Sequence, residues 1–379
     1  MRASASAMRV LCAPNAFKGS VSAIVAARAL AAGSRDAGAE PEVLPMADGG
    51  DGTLDCLLAA ARRPEIVLHR VSGPLGGRAS ARLGWMAPGE AVVELAEAAG
   101  LRRLGRRLDP LGSTSRGAGE LMARALDGGA RRIVVGVGGS ACTDGGSGIL
   151  TALGARLLDG RGRPLGRGGG VLTELERVDL SGLDPRLAEC AIDVAVDVAN
   201  PLGGNTGAAR VFAPQKGADA AGVERLEAGL LRLAAVLERD AGIDPGLRLL
   251  PGSGAAGGSA YGLAVLGATL RPGAALVADA VGLDAALAGC DLVLTGEGRL
   301  DAQTARGKAT MEVAVRAARR GVACIAVAGE VADSLPGLFA ATVSLTGIAL
   351  PGEDPRRVPR RLLRRAAAAA VRGASIGGR

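Results

Sequence analysis

Three lysines stand out in this chain of 379 residues: Lys18, Lys216 and Lys308. The other 42 basic residues are arginines. Against that background a lysine marks a position that needs a compact ammonium rather than a planar fork. All three sit beside glycine, in Phe17-Lys18-Gly19, Gln215-Lys216-Gly217 and Gly307-Lys308-Ala309. The scarce amides share their neighbourhoods: Asn15 precedes Lys18, Gln215 adjoins Lys216, and Gln303 precedes Lys308. Small cations next to permissive backbone suit a ligand with several negative charges.

Glycine-rich loops carry the second signal. Four places read as strand, loop, helix: Pro14–Ser20, Asp48–Thr53, Gly138–Gly148 and Thr295–Lys308. A fifth loop, Gly252–Ser259, leads into a helix expected over Ala260–Leu270. Glycine lets backbone N–H groups approach an oxyanion, and a helix N-terminus adds partial positive charge. Several such loops carrying Lys, Asn, Ser and Asp imply a polyanionic ligand. No GxxxxGK[ST] sequence is present, so the P-loop is absent. Gly136-Val137-Gly138-Gly139-Ser140-Ala141 does match G-x-G-x-x-A after a strand, with Asp159 further on. That match makes an NAD-dependent oxidoreductase the alternative reading. Against it, the following Cys142-Thr143-Asp144-Gly145-Gly146 delays the helix and sets a carboxylate where a pyrophosphate would lie.

Residues 191–198 alternate strictly, with Ile192, Val194, Val196 and Val198 on one side and Asp193, Ala195 and Asp197 on the other. Four residues of strand separate the two carboxylates by about 13 Å, too far to share a proton. Asp197 stands nearer the C-terminal end of the strand, where α/β sites gather, and runs into Asn200-Pro201-Leu202. Asp193 is expected to face solvent or a polar neighbour.

The elements that position these residues follow from the hydrophobic rhythm. Strands are expected at 9–14 and 42–46, each followed by a loop and a helix, which is the pattern of a parallel sheet covered by helices. Between 66 and 100 shorter alternating segments imply antiparallel strands. A helix near 114–127 and a strand over 132–137 restore the α/β pattern, as do strands at 291–295, 322–328 and 342–346. The expected fold class is α/β with two domains. Residues 1–64 and 276–379 form a discontinuous parallel domain of Rossmann or flavodoxin type, and 65–275 form an inserted mixed α/β domain.

Composition narrows the function classes. Hydrophobic residues make up 48 %, enough for a sizeable core. Three Phe, one Tyr, one Trp and a single His exclude an aromatic stacking platform and a histidine-built metal site. The net charge of +7 belongs to the C-terminal tail: residues 356–379 hold eight Arg and no acid, while the rest carries 37 basic against 38 acidic residues. Arg356/357, Arg360/361 and Arg364/365 are expected to form a solvated stripe on a final helix. Six scattered cysteines without a CxxC pair, no membrane-length apolar run and no signal-peptide pattern suggest a cytoplasmic protein.

Taken in order, six segments resemble the type-1 glycerate kinase family: Ala13–Lys18, Ala47–Thr53, Gly138–Gly146, Asp197–Leu202, Val211–Ala218, and Gly296–Thr304 with Gly307-Lys308. The resemblance runs over nearly the whole chain. It implies two α/β domains around a cleft and ATP-dependent phosphorylation of D-glycerate, generally to 2-phosphoglycerate, with Mg²⁺. Asn15-Ala16 stands where the family usually has Asp-Ser, and an amide takes no proton at neutral pH. On this reading Lys18, Lys216 and Lys308 are counter-charges, and Asp197 is the preferred base. Asp48, Asp144, Glu297 and Asp301 are alternatives as base or indirect Mg²⁺ ligands, and Arg299 clamps the glycerate carboxylate. Gly49, Gly50, Gly139, Ser140, Asn15, Asn200, Gln215 and Gln303 complete the expected substrate and phosphate contacts. The metal ligands stay open. The partners expected are glycerate and ATP, with a homodimer compatible and neither nucleic acid nor membrane implied.

Overall fold

The computed structural model describes residues 7–302, 304, 307–332 and 337–377. In chain order its strands are β1 (Arg9–Cys12), β2 (Glu40–Val43), β3 (Glu65–Ser72), β4 (Arg78–Ala87), β5 (Glu90–Glu94), β6 (Arg132–Gly136), β7 (Arg156–Leu158), β8 (Arg177–Asp179), β9 (Ala191–Val196), β10 (Thr269–Pro272), β11 (Leu292–Leu300), β12 (Ala323–Val331) and β13 (Ala341–Ser344). They divide between two units. One comprises 1–48, 55–60 and 273–379, and the other comprises 49–54 and 61–272.

The first unit is a parallel sheet in the order β13-β12-β11-β1-β2. Its covering helices pack through small residues. In the helix Ala23–Asp36, begun by the Ser22 side chain accepting from the Val25 N–H, Ala23, Ala26, Ala27, Leu30 and Ala31 are buried. Leu362, Leu363, Ala366, Ala367 and Ala370 of the final helix, Pro359–Gly377, belong to the same core. Gly33 is needed where the two meet: a Cβ there would lie 2.0 Å from the Arg364 carbonyl oxygen. Alanine and glycine thus do the packing that rings do elsewhere.

The second unit holds a mixed sheet in the order β10-β9-β6-β5-β4-β3, parallel from β10 to β5 and antiparallel through β4 and β3, beside the two-stranded β7-β8. Its core gathers Val93, Leu95, Ile133, Val135, Val194 and Val196 with Leu121 and Met122 of the helix Arg116–Asp127.

Several local expectations are corrected. The strand expected at 42–46 lies at 40–43, because β2 pairs with β1 from Glu40 onward. The strands expected between 66 and 100 stop at Glu94, after which the chain turns helical over Leu95–Ala99. The helix expected to reach Leu270 ends at Val265, and Leu270 lies in β10. The segment from Gly296, expected as loop, continues β11 to Leu300. There Gly296 approaches the Val327 carbonyl so closely that a Cβ would sit 1.8 Å from its oxygen. The arginine stripe is not simply solvated. Arg364 pairs with Asp36 at 2.5 Å, and Arg361 and Arg365 converge on Glu353 at 2.8 and 2.7 Å, which holds that carboxyl at about 2.

Candidate active site

In the first unit, the chain leaving β1 stays beside β11. The Asn15 N–H donates to the Gly296 carbonyl at 2.8 Å, and the Thr295 hydroxyl donates to the Ala13 carbonyl. This puts Asn15 just past the C-terminal end of β1, beside the middle of β11; the C-terminal ends of parallel strands are the usual place for an α/β site. Asn15 is buried. Its Oδ1 accepts from the Ala16 N–H, and its Nδ2 donates to Asp48 Oδ2 at 3.2 Å. Glu297, also buried, takes the Lys308 ammonium at 3.4 Å. Burial pushes the Glu297 carboxyl up, aided by the charge of Asp48, while Lys308 and the Thr304 hydroxyl pull it back. Lys18 is exposed, with its backbone beside Gly298. Arg299 is exposed, 3.5 Å from Asp301 and 3.9 Å from Glu330. Gln303 lies outside the described residues.

In the second unit, two glycine loops pack backbone to backbone. The Gly138 N–H donates to the Gly49 carbonyl at 2.9 Å, and a Cβ on Gly138 would meet the Gly50 Cα at 2.4 Å. Gly139 takes φ +72°, and a Cβ there would strike Asp51. The N–H groups of Gly139, Ser140 and Thr143 donate to no acceptor among the described residues, and neither do those of Gly49, Gly50 and Asp51. Such runs of unbonded amides around a positive-φ glycine form a concave anion receptor.

Two buried charges shape the Gly138–Gly146 loop. Asp144, fully enclosed, accepts from the Ser115 N–H (2.7 Å) and hydroxyl (2.9 Å), the Thr114 hydroxyl (3.3 Å), and the N–H groups of Gly146 (3.2 Å) and Gly148 (3.3 Å). Burial pushes its carboxyl up, and these donors oppose the shift. Lys216 is 3 % exposed and donates to Ser140 Oγ (3.0 Å) and the Cys142 carbonyl (2.6 Å). Burial lowers its ammonium, while Asp144 and Cys142 raise it.

Asp144 and Lys216 therefore hold the loop's shape from within. The dinucleotide reading fails on the same geometry. The amides at the start of the helix Ser147–Ala152, where a pyrophosphate would dock, are taken by Asp144.

Asp197 is exposed just past the end of β9. Asp193 is paired with Arg132 at 2.8 Å, the polar neighbour expected. Asn200 donates from Nδ2 to the Thr206 carbonyl at 2.7 Å, and Gln215 is exposed. Sequence reasoning missed Glu94, Thr114 and Ser115. A lone carboxylate inside the apolar run Ala91-Val92-Val93-Glu94-Leu95 was the available signal for the first.

A parallel α/β scaffold with amide-lined glycine loops and ammonium groups suits the binding of phosphate groups. The match to the model described as "Glycerate kinase family" spans residues 10–374, and the chain belongs to that family. It is 42 % identical over 334 residues to glycerate 2-kinase of Escherichia coli K12, covering 86 % of this chain and 87 % of that one. It is 41 % identical over 353 residues to a glycerate kinase of Bacillus subtilis 168, covering 92 % of each. A crystal structure from Salmonella typhimurium LT2, of a protein assigned as glycerate kinase 2, superposes with a TM-score of 0.87 at 41 % identity, covering 98 % of this chain and all of that one. The chain is a glycerate-phosphorylating enzyme. Among the described residues no helix is long and apolar enough to cross a membrane.

Proposed function

We propose that the enzyme transfers the terminal phosphoryl group of ATP to the C2 hydroxyl of D-glycerate, releasing ADP and 2-phosphoglycerate. The observation that carries this reading is the set of unbonded amides at Gly139, Ser140 and Thr143, in a loop rigidified by Asp144 and Lys216. Phosphoryl transfer needs little covalent help from protein; it needs in-line positioning and charge stabilisation. Backbone donors fixed beforehand supply both without reorganising during the reaction.

Lys18 and Lys308 act as counter-charges for the nucleotide phosphates, and Arg299 clamps the glycerate carboxylate. Asp197 accepts the hydroxyl proton as the oxygen–phosphorus bond forms and the bond to ADP breaks. Asn15 orients Asp48 and takes no proton itself. Lys216 and Asp144 position the loop. Asn200 and Gln215 are the remaining polar contacts.

No group of three or more His, Cys, Asp or Glu side chains suited to a metal exists among the described residues. Mg²⁺ arriving with the nucleotide would need only one or two protein carboxylates, and Asp48 and Glu297 are the residues that would hold it. The ion supplies neutralisation of phosphate charge.

The test is turnover of glycerate with Mg-ATP, followed through coupled ADP release, in Lys18→Ala and Asp197→Asn. Each variant is expected to lose at least tenfold in kcat/KM. Wild-type values in both would remove these two assignments, and no ADP from the wild-type enzyme would remove ATP as donor.

A further inference from the structure

The two amide-bearing loops of the second unit share one support. At the end of β5, Glu94 is 4 % exposed and its carboxylate turns toward the other loop's backbone. Its Oε1 and Oε2 accept from the Gly52 N–H at 3.1 and 3.2 Å, and Oε2 also accepts from the Leu54 N–H at 3.0 Å. A few residues later the same segment grips the second loop. The Ala141 N–H donates to the Ala99 carbonyl at 2.8 Å, and the Leu101 N–H donates to the Gly139 carbonyl at 2.9 Å. The stretch from Glu94 to Leu101 is thus a splint between them. What it holds lies close to the unbonded donors: Gly52 and Leu54 follow Gly49–Asp51, and the Gly139 carbonyl and Ala141 N–H lie within Gly139–Thr143.

We infer that Glu94 is a positioning residue of glycerate phosphorylation, which keeps the Gly49–Asp51 amides aimed for an anion by holding Gly52 and Leu54 from behind. This rests on the phosphate-binding role proposed above for those loops.

The chemistry favours a carboxylate at this place. Both oxygens are used as acceptors, which an ionised group provides and a protonated or amide group provides only in part. The charged neighbours are Asp51, paired with Arg102 at 3.1 Å, and Glu97, paired with Arg82 at 2.6 Å. Burial, with a smaller push from these two carboxylates, raises Glu94 to about 7, while the Leu54 and Gly52 amides oppose the shift. The grip is therefore strongest with Glu94 ionised and weakens as pH falls through about 7.

The experiment is amide hydrogen exchange of the segment 49–54, measured alongside steady-state kinetics, in wild type, Glu94→Gln and Glu94→Asp. Glu94→Gln is expected to speed exchange of this segment at least tenfold with the rest of the chain unchanged. It should also lower kcat at least tenfold with a smaller change in KM, and flatten the wild-type loss of kcat below pH 7. Glu94→Asp, retaining the charge, should recover part of both. Unchanged exchange in Glu94→Gln would overturn the support role, and fast exchange with normal kcat would overturn the catalytic one. If Glu94→Gln does not fold, Glu94→Asp carries the test: exchange of 49–54 faster than wild type with lowered kcat is expected, and wild-type values of both would overturn the inference. A wild-type enzyme that phosphorylates glycerate while both variants behave normally separates failure of this inference from failure of the kinase reading.

Discussion

At the scale of single residues, the contrast among the three lysines matters most. Lys18 is exposed and Lys308 half-buried, whereas Lys216 is enclosed and spent on the Ser140 hydroxyl and the Cys142 carbonyl. Rarity of lysine pointed to all three alike, yet Lys18 is exposed, Lys308 is paired with Glu297 at 3.4 Å, and Lys216 is enclosed. Replacing Lys216 by Met removes two hydrogen bonds from charged nitrogen and leaves a buried hydroxyl and carbonyl unmet. Urea denaturation is expected to show a loss of about 3 kcal/mol, together with reduced kcat.

Glu94 gives a pH prediction of definite sign. Its folded value of about 7 exceeds the ordinary 4.5, so the folded state binds the extra proton between those limits. Its contribution to stability is full below pH 4.5 and is lost as pH rises through 7. The difference in stability between wild type and Glu94→Gln should accordingly shift by about 3 kcal/mol between pH 4.5 and 8. Thermal unfolding of both at each pH measures it; a pH-independent difference would contradict the burial argument. The ionised form that grips the loop is the form that costs stability.

At the scale of elements, small-residue packing sets what the scaffold tolerates. Gly33→Ala places a methyl against the Arg364 carbonyl and must part the helices Ala23–Asp36 and Pro359–Gly377. Overpacking of this kind costs about 1–3 kcal/mol, and denaturant titration should show the midpoint falling with unchanged slope. A neutral result would mean these helices adjust freely.

Element existence was largely readable because alternation and helical spacing are local. β1, the helix after Ser22, β6 and β9 lie close to where their patterns put them. Boundaries set by tertiary pairing were not readable. Glycines in Gly296-Glu297-Gly298 look like loop, yet neighbouring β12 draws them into a strand. The candidate site was legible to the same extent: glycines and lysines announced themselves by type. Whether a charge is buried as a support, as with Asp144, Lys216 and Glu94, depends on distant partners such as Ser115 and Gly52 that no spacing reveals.

At the scale of the whole molecule, an ordered set of short motifs spread from Ala13 to Lys308 made the family visible, and the match to the family extends over residues 10–374. The excess positive charge at the C-terminus serves the fold, since Arg361, Arg364 and Arg365 are engaged by Glu353 and Asp36. What the enzyme makes is decided by which hydroxyl of glycerate meets the phosphate. The direct measurement is proton-coupled ³¹P NMR of the reaction of D-glycerate with Mg-ATP. The account predicts ADP formed together with one new phosphomonoester doublet, from phosphorus coupled to the single hydrogen on C2. A triplet, from phosphate on the terminal carbon, or no new phosphomonoester, would contradict it.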